Sequence, residues 1–222
     1  YILMDLSSDE TLILHLGMSG RMTVFDAAQD ERQKHDHLVF QTNDGYEVAF
    51  NDARRFGMVD LHPTAEIDTH KFFAHLGPEP LSNHFSPAYL MEKFQTKKTA
   101  VKVALLDQQI VVGIGNIYAS EALYQSGIDP RRPASDLNKP EINRLAAAIR
   151  DVLNAAIKAG GSSLRDYVQA NGELGYFQHN WAVYNKARQP CPDCTCNTLQ
   201  TGGIQKITQA GRSTFYCPQR QN

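Results

Sequence analysis

The apolar residues of this chain repeat at every second position up to about Pro63 and at every third or fourth from about Ser86. Period two buries one face of a sheet, whereas period 3.6 buries one stripe of a helix. The two patterns need separate partners, so the chain reads as α+β with a β part followed by a helical part. In the first part "TLILHLG" predicts a buried strand. "HLVFQTNDGYEVAF" places Leu38, Phe40 and Thr42, then Tyr46, Val48 and Phe50, around an Asn43-Asp44-Gly45 turn, which predicts a hairpin in a sandwich or barrel.

In the second part "SPAYLMEKF" predicts a short helix. "EINRLAAAIRDVLNAAIKAGG" puts Ile142, Leu145, Ile149, Val152, Leu153, Ala156 and Ile157 on one stripe, with Asn138 and Glu141 as a capping box and Gly160 and Gly161 as the stop. "HLGPEPLSNHFSP" between the two parts has the composition of a linker. After Gly161 comes the loop-like run "SSLRDYVQANGELGYFQ". The chain closes with "CPDCTCNTLQTGGIQKITQAGRSTFYCPQRQN", where Ile204 to Thr208 and Ser213 to Tyr216 read as the strands of a hairpin.

A net charge of −2 over 222 residues means that any footprint for a polyanion is local. One such place is the tail from Tyr184 onward, with Lys186, Arg188, Lys206, Arg212 and Arg220 against the single acid Asp193. All four cysteines fall between positions 191 and 217, which suits a metal knuckle better than staples for a whole fold. With no secretory signal and no long apolar run, the expected compartment is a reducing cytoplasm, away from membranes.

Several motifs carry chemistry, each with a plainer explanation beside it. In "VVGIGNIYASEALYQSGIDP" two glycines precede Asn116 at a helix start, where free N–H groups suit a phosphate, although an ordinary capped helix is commoner on spacing alone. "NDARRFG" offers Arg54, Arg55 and Phe56 from a loop, as an enzyme needs to fill the gap left by an extruded base. A solvated basic loop over a core Phe56 explains the same letters. His35 and His37 in "KHDH" would share a strand face, but lack a third ligand nearby. "TKKTAVK" is ordinarily a solvated helical face.

Together and in this order, "HLGMSGRM", "KHDH", "NDARRFG", "HLGPEPL", "KKTAVK", "VVGIGNIYASEALYQSGIDP", "GGSSLRDYV", "GYF" and "GRSTFYCP" resemble the formamidopyrimidine-DNA glycosylase/endonuclease VIII family, along nearly the whole chain. The resemblance implies a partial β-sandwich over residues 1–75, a helix-two-turn-helix domain over 76–180 and a zinc-finger-type β-hairpin over 181–222. It implies a monomer acting on damaged double-stranded DNA. Asn116 and Lys97 would bind phosphates of the damaged strand, and His35 would touch the backbone near the lesion. Arg212 would grip the phosphates flanking the flipped nucleotide and assist elimination. Met18, Arg54 and Phe56 would fill the void, with Arg54 facing the orphaned base. The loop from Ser162 to Tyr176 would cover the extruded oxidised purine.

The implied chemistry is bifunctional: an N-terminal proline amine attacks C1′, expels the base and holds the sugar as a Schiff base through two eliminations. That proline, its neighbouring glutamate and a lysine would lie upstream of Tyr1. The expectation is therefore a chain carrying DNA-holding residues but inactive alone, with a binder of damaged or abasic DNA as the alternative. The finger departs from the family as well. Cys191, Cys194 and Cys217 would ligate one zinc, but Arg220 stands where a fourth cysteine is expected, leaving water or Cys196 to complete the site and its occupancy in doubt.

Overall fold

The structure is a computed structural model that describes residues 1–26, 32–162 and 175–222. It forms two compact units, one of residues 1–74 with 159–179, the other of 75–158 with 180–222. The first contains six strands, β1 (Ile2–Asp5), β2 (Glu10–His15), β3 (Arg21–Asp26), β4 (Asp36–Gln41), β5 (Tyr46–Asn51) and β6 (Met58–Pro63). They pair antiparallel as two three-stranded sheets, ordered β1-β2-β6 and β3-β5-β4.

The expected hairpin is β4–β5, with Leu38 opposite Phe50 and Phe40 opposite Val48. Its apolar stripe holds at Phe50, which is 5% exposed, and fades at Tyr46, which is 49% exposed beside the turn. Strand β5 is the middle strand of its sheet and buries residues of both faces, so Glu47 and Ala49 are buried beside Phe50. Glu47 remains charged there because Gln41 donates to it at 2.8 Å and Arg32 at 3.1 Å, holding its carboxyl below the ordinary value.

In the second unit α1 (Pro87–Phe94) starts at Ser86, whose hydroxyl accepts from the Tyr89 N–H at 3.1 Å. Then come α2 (Val101–Leu105), α3 (Asn116–Ser126) and α4 (Lys139–Lys158). The turns between α2 and α3 are fastened by Gln108, which accepts from the Gly113 N–H at 2.8 Å and donates to the Ile114 carbonyl at 3.3 Å. The capping box of α4 forms reciprocally: the Asn138 N–H donates to Glu141 at 2.8 Å, and the Glu141 N–H donates to Asn138 Oδ1 at 3.0 Å. Ile142, Leu145, Ile149, Val152 and Ala156 are buried as their spacing predicts. Ile157, expected on the same stripe, is 66% exposed, because one residue past buried Ala156 turns it about 100° round the helix, to the edge of the stripe.

The short helix α5 (Thr198–Thr201) and the hairpin β7 (Gln205–Gln209) and β8 (Arg212–Tyr216) complete this unit. Ile204, Phe215 and Cys217 pack with Tyr124 of α3 and with Val183. The hairpin thus shares a core with the helices. Residues 159–162 and 175–179 cluster with the strands. The two glycines end α4 and the chain folds back, with Tyr176 N–H on the Ala159 carbonyl and Phe177 N–H on that of Gly161, both at 2.9 Å. The expected cover from Ser162 to Tyr176 falls, for residues 163–174, outside the described residues. None of the described helices is long and apolar enough to cross a membrane.

Candidate nucleic-acid interface

Arg212 is the first residue of β8, following a two-residue turn in which Ala210 and Gly211 both have positive φ, 46° and 74°. This is the tight turn that matches strand twist, and it leaves Arg212 exposed at the hairpin tip. One residue further on, the Ser213 carbonyl accepts from Asn116 Nδ2 at 2.9 Å and from Lys102 Nζ at 3.1 Å. Lys102 also donates to Asn116 Oδ1 at 2.6 Å and to Thr214 Oγ1 at 2.7 Å. Asn116 Nδ2 has Tyr184 Oη at 3.2 Å.

Three segments distant in sequence therefore meet under Arg212. Lys102 is wholly buried, and desolvation together with the nearby Arg212 charge pulls its ammonium down to about 8. Two sequence expectations change here. The N-cap of α3 is Gly115, not Asn116; Asn116 is the first helical residue, which frees its amide to bind the hairpin. Lys102, expected on a solvated face, is the buried centre of the cluster. Its spacing gave no warning, since only the hairpin, more than a hundred residues later, encloses it. Lys97 stays partly exposed and pairs with Asp107 at 3.4 Å.

Behind this cluster Glu121 is buried on α3 and accepts three successive backbone N–H groups, from Ala182 at 2.7 Å, Val183 at 3.0 Å and Tyr184 at 2.8 Å. Burial pushes its carboxyl above the ordinary value against the pull of those bonds. Tyr184, fixed this way, reaches Asn116 and packs its ring 5.0 Å from Phe215 of β8.

In the first unit Met18, Arg54 and Phe56 project from two loops, with Met18 64% and Phe56 59% exposed. The plainer alternative, a core Phe56, is thus excluded. Arg54 lies with its guanidinium 5.1 Å from the Phe56 ring centre. Between the loops sits buried Asp52, whose carboxylate accepts from Ser19 Oγ at 2.6 Å, from the Gly57 N–H at 2.7 Å and from the Arg54 N–H at 3.3 Å. Burial opposes ionisation of Asp52, but the bonds from Ser19, Gly57 and Arg54 win and hold its carboxyl below the ordinary range.

His35 does not share a strand face with His37. It lies in a turn before β4 with φ 80°, its carbonyl accepting from the Asp52 N–H at 3.1 Å, and β4 carries a register shift between Asp36 and Leu38. A left-handed histidine is an uncommon backbone state, of the kind held in place at functional sites.

At the finger, Cys191, Cys194, Cys196 and Cys217 bring their Sγ atoms within 4.8 Å of one another. Zinc–thiolate bonds of about 2.3 Å set the sulfurs of a tetrahedron about 3.8 Å apart. The Cys194–Cys217 and Cys196–Cys217 separations, 3.6 and 4.0 Å, suit that geometry. The donor set therefore fits a zinc ion, with Cys196 converging on the three thiols expected as ligands. Arg220 instead donates from Nε to the Tyr124 carbonyl and from Nη1 to that of Asp193, each at 3.2 Å, with its guanidinium 4.8 Å from the Tyr124 ring centre.

A basic hairpin tip locked to the start of a helix, in a chain whose separate β unit exposes an arginine and an aromatic, defines a DNA-binding protein of the helix-two-turn-helix class. Residues 1–59 match the model of the formamidopyrimidine-DNA glycosylase N-terminal domain, and residues 76–168 match that of the formamidopyrimidine-DNA glycosylase H2TH domain. The chain belongs to the formamidopyrimidine-DNA glycosylase family, DNA glycosylases of base-excision repair. It is 52% identical to the formamidopyrimidine-DNA glycosylase of Ruegeria sp. (strain TM1040), covering 98% of this chain and 78% of that one. Against the enzyme of Rhodospirillum centenum the identity is 52%, over 94% of this chain and 74% of the other. Among solved structures it is similar to the MutM (Fpg) protein of Thermus thermophilus, with TM-score 0.84 and 34% identity over 99% of this chain and 78% of that one. It is likewise similar to the Lactococcus lactis Fpg in complex with DNA containing an abasic site, with TM-score 0.85 and 33% identity over the same shares.

Proposed function

We infer that this chain holds damaged duplex DNA for removal of oxidised purines, 8-oxoguanine and formamidopyrimidines, through a Schiff base and two eliminations, as a monomer. The observation that carries the reading is the clamp on the Ser213 carbonyl, which fixes an exposed Arg212 beside Asn116. An exposed guanidinium on a fixed backbone suits a phosphate. Arg212 grips the phosphates flanking the flipped nucleotide and assists elimination, Lys97 and His35 add backbone contacts, and Met18, Arg54 and Phe56 fill the void. The attacking amine is assigned to none of these residues. Because none of these residues is the attacking amine, a second reading stands beside the first: a binder of abasic DNA that does not cut it.

The chain should prefer a duplex carrying a tetrahydrofuran abasic site over an intact one. Arg212→Ala should make the slope of log affinity against log salt shallower by about one. Equal binding to both duplexes sinks both readings. With 8-oxoguanine opposite cytosine, a borohydride-trapped adduct selects the cutting enzyme, and retained abasic preference without an adduct selects the binder.

For the metal, we assign Cys191, Cys194, Cys196 and Cys217 as the ligands of one zinc. When bound, the ion supplies a cross-link between the cysteine loop and the end of β8. Cobalt titration followed by thiolate charge-transfer absorption checks the set. Cys196→Ser should weaken metal binding by about tenfold or more, while Arg220→Cys should leave it unchanged. An unaltered cobalt spectrum and affinity in Cys196→Ser would remove Cys196 from the set.

A further inference from the structure

Met18, Arg54 and Phe56 come from two loops that share no secondary structure, so something must hold them in register. The loop of Gly17 to Gly20 and the loop of Arg54 to Gly57 touch through their main chains. A Cβ on Gly17, itself at φ 63°, would lie 2.6 Å from the Phe56 carbonyl carbon and 2.7 Å from the Gly57 nitrogen. A Cβ on Gly57 would meet the Phe50 ring at 2.6 Å and the His15 carbonyl at 2.8 Å. Only glycine allows this approach at either position.

Buried Asp52 lies at that junction. One carboxylate oxygen accepts from Ser19 Oγ of the first loop and from the Arg54 N–H of the second, and the other accepts from the Gly57 N–H. The Arg54 N–H is shared, since Ser19 Oγ lies 3.2 Å from it. The backbone of Asp52 is held from behind, its N–H by the His35 carbonyl at 3.1 Å and its carbonyl by His37 Nε2 at 2.8 Å. Between Arg54 and Phe56, Arg55 has a φ of 57°, a conformation that needs outside bonds to persist.

We propose that Asp52 is a positioning residue that binds the two loops into one rigid unit, so that Met18, Arg54 and Phe56 enter the duplex together. The inference rests on reading those three as void fillers. An anchored wedge and arginine lose little freedom on binding, whereas loops moving separately pay that ordering cost each time and present Arg54 to the orphaned base in many orientations. Asp52 therefore governs how well the orphaned base is read and how fully the stack is opened, while phosphate contacts made elsewhere are untouched by it.

The test uses the full chain and a duplex with an abasic site opposite either 2-aminopurine, a fluorescent reporter of unstacking, or a natural base. In Asp52→Asn, which keeps one acceptor, and in Ser19→Ala, which removes only the link between the loops, the fluorescence rise on binding should shrink. The preference for cytosine over adenine opposite the abasic site that hydrogen bonds from Arg54 would give should fall roughly tenfold, the scale of a buried hydrogen-bond set lost. The salt slope should stay that of the parent. Phe56→Ala separates the two layers of the argument. If Phe56→Ala leaves the fluorescence rise intact, the void-filler reading fails and the inference falls with it. If Phe56→Ala abolishes the rise while Asp52→Asn and Ser19→Ala, both folded by circular dichroism, match the parent in fluorescence and base preference, Asp52 has no such role. Should Asp52→Asn fail to fold, Ser19→Ala decides alone.

Discussion

Between pH 8 and pH 10 this protein is expected to gain stability and lose affinity for DNA. Both effects come from Lys102. Its folded-state pKa is depressed to about 8 from 10.5, so over this window the unfolded chain binds the proton that the folded chain has released. The stabilising contribution is complete above the unfolded value and is lost as pH falls through 8. Its full size is about 3 kcal/mol at 1.36 kcal/mol per unit. Affinity moves the other way, because a neutral amine beneath Arg212 removes positive charge from the place where a phosphate would sit. Urea unfolding and abasic-duplex binding, each followed across the window, measure the two slopes. In Lys102→Met both slopes should flatten. At pH 7 the stability of that variant should stay within about 1 kcal/mol of the parent, since relief of the buried charge offsets the bonds lost at Asn116 and Thr214. Its DNA binding should fall about tenfold, because Asn116 and β8 lose their common partner. Parallel slopes in parent and variant would mean that Lys102 stays charged throughout.

The larger loss of stability is expected at Glu121. Three consecutive backbone N–H groups, of Ala182, Val183 and Tyr184, end on this one buried carboxylate. Glu121→Ala leaves all three unpaired, at a cost of about 3–5 kcal/mol, the range for breaking a buried charged partnership. The segment also carries Tyr184, so Asn116 loses a neighbour and the variant should bind DNA less tightly even where it remains folded. Glu121→Gln retains a carbonyl acceptor and should lose less. Its pH dependence should differ as well. Burial raises the parent carboxyl in the folded state, so the parent's stability from this group is complete below the unfolded value and declines as pH rises through the raised one. The glutamine variant has no such decline. Urea denaturation of the three proteins between pH 4 and pH 7 reads both effects; equal stability of Glu121→Ala and parent would contradict the assigned bonding.

Local signals were legible in the sequence and long-range ones were not. The period change near Ser86, the hairpin turn at Asn43 to Gly45 and the capping box at Asn138 each depend on residues within a few positions of one another, and each is present in the fold. Arg212 is singled out by the ordered motifs alone, and Asn116 by those motifs together with the glycines before its helix. Lys102 and Glu121 were missed because what makes them special is enclosure by segments 61 to 112 residues distant. A lysine in "KKTAVK" and a glutamate in "YASEALY" look solvated until the hairpin and the run after Trp181 close over them. Cys196 was open as a ligand because the cysteine count did not say which thiols converge. The glycines of "GMSG" and "RRFG" were legible as motif letters, but their reason, two main chains in contact, appears only in three dimensions.

The Ser213 carbonyl holds the hairpin to the helices through a group that every amino acid carries. The bond made by residue 213 therefore does not depend on its side chain, whereas those made by Lys102 and Asn116 depend on theirs. One side of the joint is written in letters and the other in the main chain, so comparison of letters alone finds only half of it.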